Sequence, residues 1–158
     1  MIVSDATAII TLINIDRFEI LHLMFDHIIM TSEVYDEIAV KPRAKNYLDQ
    51  EIDLGFVQIE QYKDKQLFKE INFVLDRGEA ASITLALEQK KPLIIDEKKG
   101  RNFAKRQGIE IIGLVGILRF LYLNEMMNEA ETRELIERLN SSDFRISSHL
   151  IDLIIEER

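Results

Sequence analysis

Short β-branched runs alternate along this chain with longer helical stretches, and that alternation is what most limits the folds open to it. Ile2 to Ser4, "HIIMT", "FVQIE", "PLIID" and "IEII" are too short for packed helices and read as strands. Helical patterns run over Ala6 to Ile15, the following "DRFEILHLMF", and "SEVYDEIAV", where Ser32 is the expected N-cap and Val34 and Ile38 share a face. Pro42 is expected to end that helix, and a weaker one spans Ala44 to Leu54. The middle, "DKQLFKEINFVLDRGEAASITLALEQKK", reads as two helices with their corner at Gly78. Further helices are expected from Lys98 to Gln107 and from near Leu114, and the tail from Asn128 is helical throughout. Strands alternating with helices build a parallel sheet covered on both faces. The expectation is a three-layer α/β/α sandwich, a single domain over 1–158 with 124–158 as a helical C-terminal extension.

With 158 residues, 47% of them hydrophobic, the chain can bury one sizeable core. Twenty Lys and Arg against 28 Asp and Glu give a net charge of −8, which argues against coating nucleic acid by bulk electrostatics and leaves room for a local basic patch. Cysteine is absent, so disulfides and thiolate metal sites are excluded. The longest apolar run, Ile111 to Leu118, stops at Arg119, and no signal peptide is visible, so no membrane association and a cytoplasmic location are expected.

Acids punctuate the strand ends. Asp5 follows the first strand and Asp96 follows "PLII". In an open parallel sheet ligands bind beyond the carboxyl ends of the strands, so both acids should emerge at one edge. Glu79 opens a helix after Gly78, and Glu37, one turn beyond Glu33, lies on the helix after the second strand. Each has a simpler use: Asp5 as a helix cap worth about 1 kcal/mol, Glu79 as a complement to a helix dipole, Glu37 as part of an exposed acidic face. Together, carboxylates packed this closely repel unless a cation neutralises them. Oxygen-only ligands favour Mg²⁺ or Mn²⁺, ions suited to phosphodiester hydrolysis.

The stretches "SDATAIITL", "TSEVYDEI", "GEAASITLALEQKKPLIIDEKKGRNFAKRQGIEIIGLVGIL" and, more weakly, "FRISSHLIDLIIEE" resemble the PIN domain superfamily, the fold of VapC-type toxins and many other ribonucleases. Within it the chain is most similar to a prokaryotic branch of predicted nucleic-acid-binding proteins. The resemblance implies a catalytic quartet of Asp5, Glu37, Glu79 and Asp96. Where relatives carry paired aspartates this chain has Asp96 and Glu97, which keeps a second carboxylate with longer reach, so the implied metal ligands are Asp5, Glu79, Asp96 and Glu97. Thr7 matches a position that can hold a metal water or phosphate. Arg101, in a basic cluster with Lys98, Lys99, Lys105 and Arg106, matches one that contacts substrate phosphate, and Lys98 is placed with it.

The implied activity is a Mg²⁺- or Mn²⁺-dependent ribonuclease acting on single-stranded or structured RNA, with the toxin role of a toxin–antitoxin pair and an antitoxin-like protein partner as its extension. The alternative is a non-catalytic PIN-fold scaffold that binds RNA or protein. No nucleophile elbow, phosphate-binding glycine loop or dinucleotide fingerprint occurs, and His22, His27 and His149 lack partners at metal-ligand spacing. A receiver-type phosphotransfer domain or a dehalogenase-like phosphatase would need further acids beside Asp5, where Thr7 stands instead. The aromatic residues show no base-stacking platform. Leu135, Ile136 and Leu139, with Leu150, Ile151, Leu153, Ile154 and Ile155, make more apolar surface than two terminal helices need, so a homodimer contact is expected there.

Overall fold

A computed structural model describes residues 1–156; Glu157, the end of the last resembling stretch, and Arg158 lie outside the described residues. Five strands, β1 (Ile2–Ser4), β2 (Ile28–Met30), β3 (Val57–Ile59), β4 (Leu93–Ile94) and β5 (Ile111–Ile112), form one sheet in the order β3-β2-β1-β4-β5. Every pairing is parallel, and Val3 stands opposite both Ile29 and Leu93. Strand side chains alternate between two faces, and two cores follow from that. Ile2, Ile28, Met30 and Ile94 enter the larger core, whereas Val3, Ile29, Leu93 and Ile95 enter the smaller. A sheet with helices on both faces is the expected three-layer sandwich.

The larger core is covered by α1 (Ala6–Asn14), α2 (Ile20–Met24), α3 (Ser32–Ile38), α4 (Pro42–Asp53) and α8 (Leu114–Leu123), the smaller by α5 (Lys65–Asn72), α6 (Arg77–Gln89) and α7 (Lys98–Arg106). Several local expectations are corrected. Only Ile20–Met24 of "DRFEILHLMF" is helical, because the chain leaves α1 through Asp16 with φ 57°, a left-handed residue that no helix continues. Pro42 begins α4, at a position where its missing N–H costs nothing. Thr31, not Ser32, caps α3: its hydroxyl accepts from Val34 N at 3.2 Å. The corner between α5 and α6 falls at residues 73–76, and Gly78 sits in the first turn of α6.

The tail forms α9 (Glu129–Asn140) and α10 (Ser148–Ile154) with a turn-rich link between them, so it is not helical throughout. Its apolar residues have a use within the chain. Leu135, Ile136, Leu139 and Ile154 are buried in the larger core, and Leu150, Ile151 and Ile155 pack against it. Leu153 alone of that set stays well exposed; the others pack within the chain, with α9 and α10 lying against α8. Among the described residues no helix is long and apolar enough to cross a membrane.

Candidate metal centre

Strand order reverses about β1 and β4: the chain leaves β1 toward β2 and β3 on one side and returns to β4 and β5 on the other. The crevice at such a switch point is where open α/β sheets bind ligands. Asp5 leaves β1 there, its N–H bonded to Ile94 O at 2.9 Å. It occupies the N-cap position of α1 with extended backbone, yet its carboxylate makes no capping hydrogen bond. The acid serves something other than the helix start.

Gly78 locates what it serves. A Cβ built on this glycine would lie 3.3 Å from Glu37 Oε1, 3.6 Å from Asp5 Oδ1 and 3.8 Å from Asp76 Oδ1, so three carboxylates from three elements converge on one point. Asp76 also caps α6, accepting from Glu79 N at 2.8 Å, which fixes Glu79 in the first turn beside it. One carboxylate oxygen each from Asp76, Glu79 and Glu97 lies within 4.8 Å of the others. Glu79 is 5% exposed, and its Oε2 is buried without a hydrogen-bond partner among the described residues. That oxygen presses on Gly100 of α7, where a Cβ would overlap it and lie 2.7 Å from Ile95 Cδ1.

Electrostatics follow the packing. Burial, with the charges of Glu37, Asp76 and Glu97, raises the Asp5 carboxyl from 3.8 to about 7, although the Ala6 N–H opposes the rise. Burial and then Asp76 push Glu79 up, with Asp5 and Glu97 adding to it. Glu37 is raised by burial and by Asp76 and Glu97. None of the ion pairs among the described residues involves Asp5, Glu37, Asp76, Glu79 or Glu97. Converging carboxylates, no protein cation and one orphaned buried oxygen fit a hard divalent ion.

Asp5, Glu37 and Glu79 therefore come together as their places in the chain suggest, Glu97 joins them as the resemblance implied, and Asp96 stands beside them. Its Oδ1 accepts from Leu114 N at 3.0 Å, which anchors the start of α8, and its Oδ2 is buried without a partner. Burial raises its carboxyl, while the Leu114 N–H and Arg101 pull it back. Arg101 donates from Nη1 to Ile95 O at 2.9 Å. Gly113 leaves room for this pair, since a Cβ there would lie 2.6 Å from Arg101 Nη1 and 2.7 Å from Asp96 Oδ1. Thr7 is half-buried on α1, and Lys98 is exposed at the start of α7.

Asp76 is the member that sequence reasoning missed. Its signal is the spacing in "DRGE", an N-cap acid three residues before a glutamate. A family model described as PIN domain matches residues 1–158 from end to end. The chain belongs to the PIN domain family. No curated protein matches it. PIN domains are generally nucleases that bind divalent metals, and the acidic cluster of this PIN domain lies at the switch point of its sheet.

Proposed function

We propose that this PIN domain is a Mg²⁺- or Mn²⁺-dependent ribonuclease that hydrolyses phosphodiester bonds of single-stranded or structured RNA. The observation that carries the proposal is the uncompensated acid cluster: carboxylates of Asp5, Glu37, Asp76, Glu79 and Glu97 converge with no cation among the residues described around them. Asp76, Glu79 and Glu97 would hold the ion, with Asp5 and Glu37 reaching the same space. A bound divalent ion supplies charge neutralisation and Lewis acidity toward water and a phosphate oxygen.

The chain's own groups do the rest. Asp5, buried beside Glu37 and Asp76, would join the ion's ligands, the raised proton affinity of the empty site giving way once the ion supplies positive charge. Asp96 would hold the start of α8 through Oδ1, and its buried, unpartnered Oδ2 leaves it free to serve the ion as well. Arg101 and Lys98 would meet substrate phosphate, a local positive rim on a chain of net charge −8. As the toxin of a toxin–antitoxin pair, the protein would need a partner that covers the acids, and its place of action would be the cytoplasm.

The test is cleavage of labelled single-stranded and hairpin RNAs with Mn²⁺, Mg²⁺ or EDTA, comparing wild type with Asp5→Asn and Asp76→Asn, alongside calorimetric titration of Mn²⁺. Cation-dependent cutting lost in both variants supports the nuclease. Tight Mn²⁺ binding without cutting of any RNA would leave the PIN fold as a scaffold, and absence of both would remove the metal centre itself.

A further inference from the structure

Asp96 and Arg101 also line a surface pocket of about 450 Å³, within the size range of small-ligand sites. Its lining is mixed in chemistry. Ile112, Phe144 and Leu150, each also packed against the larger core, supply apolar surface, and Asp96, Arg101 and Arg145 supply charge. The pocket shares Asp96 and Arg101 with the margin of the metal centre, so an extended chain crossing the acids runs into it.

The segment carrying Phe144 and Arg145 is braced. Asn140 Oδ1 accepts from Ile146 N at 2.7 Å, Ser142 Oγ donates to Leu139 O at 2.5 Å and accepts from Phe144 N at 3.1 Å, and Ser147 caps α10. Ile146 is buried, so the backbone turns it inward and leaves Arg145 exposed. Arg17, Arg43, Arg119, Arg133 and Arg138 are each paired with a carboxylate. Arg145, like Arg77, Arg101 and Arg106, has no such partner among the described residues. A half-buried ring on a braced backbone next to an uncommitted guanidinium, on a strongly acidic protein, is complementary to a nucleotide: apolar surface for the base and a cation for the phosphate.

We propose that this pocket takes the single-stranded nucleotide next to the cleaved phosphodiester, its base against Phe144 and its phosphate on Arg101 and Arg145. The inference rests on the ribonuclease reading of the acid cluster. A base can enter only when unstacked, so the pocket selects single-stranded RNA over a continuous duplex.

The experiment measures anisotropy of a 5′-fluorescein single-stranded RNA octamer with Ca²⁺, for wild type, Arg145→Glu, Phe144→Leu and Arg133→Glu. Leucine keeps the apolar packing of position 144 and removes the stacking face, and Arg133 on α9 controls for net charge. Expected are at least tenfold weaker binding for Arg145→Glu, at least fivefold for Phe144→Leu, the lower end of what one stacked base contributes, and under twofold for Arg133→Glu. Binding unchanged in both pocket variants, or weakened equally by Arg133→Glu, overturns the pocket. So does a wild type that binds no single strand better than a duplex of equal length. Cleavage of RNA in Mn²⁺ by the same four proteins is read separately. Cutting with no dependence on residues 144 and 145 leaves the nuclease standing without the pocket, whereas binding through those residues without cutting leaves the pocket standing without the nuclease.

Discussion

Asp5→Asn removes one charge and almost no volume, and the metal-free protein should gain stability from it. On folding, burial and three neighbouring carboxylates raise this carboxyl from 3.8 to about 7. Between those values the folded chain binds more protons than the unfolded one, so stability falls as pH rises through this window and levels off above it. At about 1.4 kcal/mol for each tenfold change in proton activity, Asp5 opposes folding by about 4 kcal/mol at pH 8 and by under about 1 kcal/mol at pH 4. Asparagine has no proton to lose in this range, its carbonyl can still accept from Ala6 N, and no capping bond is forfeited because Asp5 makes none.

Urea unfolding in EDTA measures this directly. Asp5→Asn should exceed wild type by about 2 to 4 kcal/mol at pH 8, with the gap closing toward pH 4. Mn²⁺ should reverse the order: at a concentration 100-fold above its Kd it stabilises wild type by about 2.7 kcal/mol, and the variant, lacking a ligand, by much less. A variant that is less stable than wild type at pH 8 in EDTA, or a gap that ignores pH, would refute the reasoning. Asp5 would then serve the start of α1 rather than the acid cluster.

Three other outcomes test separate parts of the site. Gly100→Ala should place its Cβ against Glu79 Oε2 and Ile95 Cδ1, destabilising by about 1 to 3 kcal/mol less the roughly 1 kcal/mol that alanine gains in a helix. Adding Glu79→Ala should restore stability in thermal unfolding, a coupling that additive effects exclude. Asp76→Asn should keep the cap on α6, since asparagine caps as well as aspartate, so calorimetry should show Mn²⁺ binding at least tenfold weaker while the melting temperature in EDTA does not fall. Thr31→Ala should cost about 1 to 2 kcal/mol in urea unfolding and Ser32→Ala less than about 0.5 kcal/mol, in line with which hydroxyl caps α3.

The strands were legible because each is a short, largely apolar run, and β1, β2 and β4 at the centre are buried on both faces. Asp5 and Glu79 were legible for a related reason, as charges set against apolar segments at element boundaries. What escaped depended on partners distant in sequence. Asp96 Oδ1 accepts from Leu114 N, eighteen residues on, and no local spacing announces that bond. Assigning the α5–α6 corner to Gly78 hid Asp76, because the first turn of a helix was read as a hinge. The tail's apolar residues looked surplus because their packing partner, α8, is a separate helix that periodicity alone does not identify.

Both kinds of feature meet in how the cluster is held. The acids do not hold one another: each raises its neighbours' proton affinity, and apart from the cap from Asp76 to Glu79 N their carboxylates form few bonds to the protein. What keeps them together is steric and topological. Parallel strands β1 and β4 deliver Asp5 and the Asp96–Glu97 pair to the same edge, α6 presents Asp76 and Glu79 from one turn, and Gly100 lets α7 close on Glu79 until one of its oxygens loses access to water. A site held this way resists collapse when the ion leaves, so the folded chain retains the repulsion that an ion would relieve. Removing any one carboxylate should therefore trade metal affinity for apo stability, and the exchange should be steepest at Asp5 and Glu79, where burial is deepest.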